Sequence, residues 1–202
     1  MRMHTAKKAT VSSLQVTVSA LAIAIATATG VNAQSVTVTG TVIPTLTPNP
    51  SPTWTVPYTW YMYVGNGTAG TLAIANGGTV AAAPGYYTAI GYLGGDGLVT
   101  VDGVGSSFTN DYYIYIGYNG TGTLRITNGG NVVARTTIVG HAPVPTSGNI
   151  TIDGAGSALT TTGLSVGHDG PGSVTVTGGG RLTTNGTATI GSQPGVVRRR
   201  MI

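Results

Sequence analysis

Residues 102–106 read Asp-Gly-Val-Gly-Ser, and 51 positions further on residues 153–157 read Asp-Gly-Ala-Gly-Ser. Between them lies Asn128-Gly129-Gly130, a copy of Asn76-Gly77-Gly78 set 52 positions earlier, with a looser version at Gly178-Gly179-Gly180. Two unlike turns therefore alternate. Working outward, a β-branched residue followed by Gly recurs as Val64-Gly65, Ile90-Gly91, Ile116-Gly117, Val139-Gly140, Val166-Gly167 and Ile190-Gly191, at steps of 26, 26, 23, 27 and 24. After most of these comes Gly-x and then an apolar pair at i and i+2: Leu72/Ile74, Val99/Val101, Leu124/Ile126, Ile150/Ile152 and Val174/Val176. The repeat is thus a ~50-residue unit made of two unlike halves of ~25.

Apolar residues at i and i+2, flanked by Thr and Ser, are strands with one buried face. The Gly, Asn and Asp clusters supply the positive-φ positions that turns need. A ~25-residue half has room for about three short strands and three turns, and its buried face is too small to be stable alone. Stacking such units at ~4.8 Å joins the apolar spots into one core. The expected fold is all-β, a parallel β-helix (solenoid) of about five to six coils. A β-sandwich would explain turn signals every 8–12 residues, but not in-register identity every ~25 or ~50.

Composition agrees. Of 202 residues, 33 are Gly, 35 Thr and 10 Pro, and charged residues make up only 7 %. There is no Cys, which excludes a disulfide scaffold and thiolate-held metals. Gly and Thr are poor helix formers. The formal net charge is +4, yet between positions 34 and 197 there are three Arg and five Asp. The basic excess sits at the two ends, so the body lacks the basic face that a nucleic-acid partner requires.

Residues 1–33 read as a signal peptide. Arg2, Lys7 and Lys8 precede an uncharged apolar stretch at 16–28, and Val31-Asn32-Ala33 offers a small residue at the cut. The run is rich in Thr and Ser and falls short of the ~20 apolar residues a span needs, so it is not read as a membrane anchor, and no stable membrane span is expected in the mature chain. Residues 34–59 are a Thr/Pro-rich linker and N-terminal cap, with 45–57 read as the extended linker. Residues 60–195 hold the repeats, and 196–202 form a basic tail.

The pattern Tyr63-Val64-Gly65-Asn66-Gly67-x-x-Gly70-x-Leu72, Asn76-Gly77-Gly78, Ile90-Gly91 and Gly97-x-Val99-x-Val101-Asp102-Gly103-x-Gly105-Ser106 resembles the repeat of bacterial type V secretion (autotransporter) passengers and of some PEP-CTERM exported proteins. The resemblance covers about residues 61–195. It implies a surface-exposed, adhesin-like passenger stalk. The sequence departs from those families in two ways: no segment remains for an outer-membrane barrel, and without Glu there is no Pro-Glu-Pro motif. A truncated passenger, or export by other means, fits these departures.

No catalytic set and no cofactor is expected. Some β-helices are polysaccharide lyases or hydrolases, which need clustered acids. Here Asp102 and Asp153 share a repeat phase but lie two coils apart, in Asp-Gly turns where the carboxylate is expected to bond local amides. The stretch Gly94-Gly95-Asp96-Gly97 nearly matches a calcium-binding nonapeptide, but Leu98 and Val99 follow it, so the second acid is missing. His141 and His168 each follow the phase-marking Gly in consecutive coils and would stack ~5 Å apart. That placement gives either a weak metal pair or a variable turn position also holding Asn66, Tyr92, Tyr118 and Ser192; no carboxylate is expected beside it. All 13 aromatic residues lie between Trp54 and Tyr118. Tyr86, Tyr87, Tyr112, Tyr113 and Tyr115 recur in similar phase. They form either core and cap or a ladder suited to a glycan or a surface protein.

Overall fold

Every regular element among the described residues is a β-strand. The structure, a computed structural model, describes residues 33–57, 61–142 and 146–191, all within the unit Asn32–Ile202. The signal-peptide segment up to residue 32, Tyr58, Trp60 and the basic tail lie outside the described residues. Five coils follow one another: β5 (Gly70–Ala75), β6 (Thr79–Ala81) and β7 (Thr88–Tyr92); β8 (Asp96–Asp102) and β9 (Ser107–Ile116); β10 (Thr121–Thr127) and β11 (Asn131–Val139); β12 (Ser147–Asp153) and β13 (Ala158–Val166); and β14 (Gly172–Thr177), β15 (Arg181–Thr184) and β16 (Ala188–Ile190). Ahead of them come β1 (Ser35–Gly40), β2 (Val42–Ile43), β3 (Thr53–Thr55) and β4 (Met62–Asn66).

The strands form two sheets, ordered β1-β5-β8-β10-β12-β14 and β2-β4-β7-β9-β11-β13-β15, and every pair between coils is parallel. The fold is the expected parallel solenoid. It differs from three short strands per coil in that β9, β11 and β13 each run through two segments of the second sheet. A register shift between β9 and β11 marks the bend. Asn110 holds it: its side chain is buried, Oδ1 accepts from Tyr112 N (2.7 Å), and Nδ2 donates to Thr88 Oγ1 (2.9 Å). One extra residue in a strand, locked this way, is a β-bulge that re-aims the side chains after it.

The repeated apolar pairs stack in register. Leu124 faces Val99 on one side and Ile150 on the other, and Ile126 faces Val101 and Ile152. From the opposite sheet Phe108, Val132 and Leu159 form a matching column, all fully buried. Residues alternating with these, such as Thr100, Arg125 and Thr151, point outward.

The alternation of turns has a hydrogen-bonding cause. In the Asn-Gly-Gly turn, Asn128 and Gly129 both have positive φ (52° and 89°), and Gly130 N donates to Thr127 O. This conformation leaves the N–H of Gly129 facing the neighbouring coil. There it donates to Ser157 Oγ (3.0 Å), and that hydroxyl donates to Asp153 O (2.7 Å). Gly77, Ser106 and Asp102 repeat the arrangement two coils earlier. A turn that offers an N–H thus stacks beside a turn that supplies a hydroxyl, so the sequence period is two coils rather than one.

The N-terminal segment departs from the expected linker. β1 lies antiparallel on β5 with Val36 opposite Ile74 and Val38 opposite Leu72, which continues both apolar columns. Ser51 pairs with Val36 through backbone bonds, and the Asn49 side chain bonds both N and O of Val38. Residues 45–57, read as an extended linker, bury Leu46, Trp54 and Val56, and β3 pairs with β6. The stretch covers the free edge of the first sheet, which would otherwise present unpaired donors and acceptors.

Candidate functional site: a strip of tyrosine and histidine rings

The second sheet carries a continuous strip of aromatic rings on its outer face. Tyr87 and Tyr113 are equivalent positions in adjacent coils, as are Tyr61 and Tyr87, and Tyr63 and Tyr115 stand in the same outward column two coils apart. The turn beyond each strand adds a second row. In β9 Ile114 and Ile116 point inward and Tyr115 outward. Gly117 then takes φ 73°, and Tyr118 comes back over Tyr115, with ring centroids 4.9 Å apart.

The rings touch in sequence along the strip. Tyr61 meets Tyr86 (5.2 Å) and Tyr87 (4.4 Å), and Tyr63 stacks on Tyr92 (4.5 Å). Tyr87 stacks on Tyr118 (5.8 Å), Tyr113 on Tyr115 (5.7 Å), and Tyr112 lies edge-on to Tyr113 (4.5 Å). Tyr118 then stacks on His141 (4.7 Å), and His141 meets His168 (5.2 Å). All five tyrosines singled out from the sequence belong to the strip. None of the described tyrosines is fully buried, although Tyr86 packs its partly buried side chain against the core. The buried aromatics are Phe108 and Trp54 instead. Tyr61, Tyr63, Tyr92 and Tyr118 also belong to the strip. For the last two the signal was their phase, which they share with the two histidines.

Burial among neighbouring rings raises the pKa of Tyr63, Tyr87 and Tyr115, and for Tyr87 the contact with Tyr63 Oη (3.3 Å) adds to the rise. Each tyrosine gives the strip an amphipathic ring with a hydroxyl tip that can donate or accept.

The two histidines stack at the spacing expected from their phase, but the expected absence of a carboxylate is corrected. Asp169 Oδ2 lies 2.9 Å from His168 Nδ1. Sequence phase placed no acid here because Asp169 is one residue past the repeating position. The turn brings it back beside the ring. One ligand atom from each of His141, His168 and Asp169 lies within 4.8 Å of the other two. Burial lowers the pKa of His141, and neighbouring His168 lowers it further, while Asp169 opposes them. His141 Nδ1 is shielded from solvent and has no hydrogen-bond partner.

Three of the four remaining acids accept hydrogen bonds from neighbouring turns and strands, and Asp96 stands exposed at the start of β8. Asp102 Oδ1 accepts from Thr127 Oγ1 (2.6 Å) and Asn128 Nδ2 (2.7 Å), and Asp153 Oδ1 accepts from Thr177 Oγ1 (2.7 Å). Their partners belong to the next coil, not to the local amides expected from the sequence. The Asn128 turn stands between the two carboxylates. Asp111 accepts from Gly85 N (3.1 Å).

No family model matches the chain. No solved structure matches it. Over 81 residues, 40 % of its length, the chain is 38 % identical to a protein of Escherichia coli (strain K12) named Uncharacterized lipoprotein YdeK. That stretch is 6 % of the relative, so the chain spans a small fraction of the protein it matches.

Proposed function

We propose that this chain is a non-enzymatic passenger segment of an exported bacterial protein, which meets a glycan or a surface protein through its tyrosine strip. The observation that carries the reading is the unbroken run of ring contacts on one outer face. Rigid amphipathic rings repeated along a stacked scaffold suit extended, weak contact. Similarity to a protein named as a lipoprotein supports export. So does the segment before Gln34, with its basic start and apolar run. The autotransporter-like repeat supports a surface stalk, and the engagement of Asp102 and Asp153 in turn contacts speaks against a lyase or hydrolase.

Export predicts cleavage after Ala33. N-terminal sequencing of the exported protein should begin at Gln34, and an intact Met1 on secreted material would end the idea. Contact through the strip predicts binding without turnover. On a glycan and surface-protein array, Tyr87→Ala and Tyr115→Ala should each weaken whatever the native chain binds by about fivefold, the ~1 kcal/mol typical of an interface anchor. Binding that both variants retain refutes the strip. Release of cleaved oligosaccharide, lost in Asp102→Asn or Asp153→Asn, would establish the enzyme instead.

A further inference from the structure

We propose that His141, His168 and Asp169 form a binding site for a divalent transition-metal cation of the zinc class. Two imidazoles and a carboxylate are a donor set that zinc accepts at bond lengths of about 2.0–2.2 Å, with a fourth position left for water or a ligand oxygen. Such bonds place tetrahedral donors roughly 3.3 Å apart. One donor atom from each of the three groups already lies within 4.8 Å of the other two, so closing the set needs a shift of only about 1.5 Å.

The backbone holds these residues in place. His141 N donates to Gly117 O (2.9 Å) and Asp169 N to Gly140 O (3.0 Å), both bonds between coils. The two histidines therefore face each other because their coils stack, not because a flexible loop happens to bring them close. His141 also carries a polar atom that the fold leaves unanswered, its buried Nδ1. Orphan buried nitrogens are rare and mark a missing partner or a functional role. Stacking on Tyr118 limits the orientations this ring can take. His168 and Asp169 remain accessible, each a little over a third exposed, so a cation can reach the site from solvent. Nitrogen donors favour zinc-class ions over calcium and magnesium, which want oxygen.

Calorimetry on the full chain tests this with zinc chloride and, as a spectroscopic probe, cobalt(II). The expected result is one zinc per chain and a visible cobalt absorption of tetrahedral type. Each of His141→Ala and His168→Ala should weaken binding by at least about tenfold, the lower end of what losing metal-site partners costs. Asp96→Asn, an exposed acid outside the site, should leave it unchanged. Melting curves establish that the variants are folded, which is expected since all three residues occupy partly exposed turn positions. No binding up to millimolar zinc, binding that survives both histidine substitutions in folded protein, or equal uptake of calcium would overturn the site. The outcome does not depend on whether the tyrosine strip binds a partner.

Discussion

Ile126→Asp is expected to abolish the cooperative thermal transition, whereas Arg125→Asp should leave it nearly where it was. The two residues are neighbours in β10, in the same register environment, and differ only in which face they occupy. Ile126 is fully buried between Val101 and Ile152, while Arg125 points outward between Thr100 and Thr151. Truncating a buried Ile costs about 2–5 kcal/mol. An unpaired carboxylate in the same place adds several kcal/mol more, even if it takes up a proton to avoid the charge. The sum rivals the ~5–15 kcal/mol that holds a domain together. The exposed substitution stays within about 0.5 kcal/mol. Because the columns are continuous, the damage at coil three should spread both ways. Thermal melts followed by circular dichroism distinguish the two, and equal losses would mean that the facing of β10 is wrong.

Gly122→Ala should cost on the order of 3–5 kcal/mol, against about 1–2 kcal/mol for Gly67→Ala. A Cβ at Gly122 would fall onto Gly117 N and Ile90 O, far inside van der Waals contact. Those two atoms are hydrogen-bonded to each other across coils at 2.8 Å. The methyl group would wedge apart a backbone bond between coils, combining overpacking of about 1–3 kcal/mol with the loss of a buried bond worth a similar amount. Gly70, Gly148 and Gly172 sit over the corresponding pair in their own coils, so this edge of the solenoid is a seam that only glycine fits. Gly67 is the control. Its φ of 73° penalises any side chain, but nothing lies within 4 Å of the added carbon. Denaturant titration of both variants measures the difference. Similar losses would show that backbone conformation, and not coil contact, makes these glycines necessary.

The sequence by itself determined the solenoid, its register and its double period. The apolar pairs at i and i+2 are local facts, and like stacks on like in a solenoid, so in-register repetition of Leu124/Ile126 with Val99/Val101 and Ile150/Ile152 already stated which residues pair. The tyrosine and histidine phases were legible for the same reason. Three things were decided only by tertiary structure. The Pro-rich segment became a cover for β1 because an open sheet edge needs partners, and nothing local marks Asn49 or Ser51 as supplying them. Asp102 turned from its own loop to Thr127 and Asn128, since the stacked turn above offers better-placed donors than the local amides. The strip joined Tyr115 to Tyr118, and the two histidines gained Asp169, through positive-φ turns that fold one row of side chains back over another. Periodicity records what repeats along the rod. It carries no signal for how a turn aims its side chains around the rod, because those outward positions bury too little apolar surface to impose a pattern on the sequence.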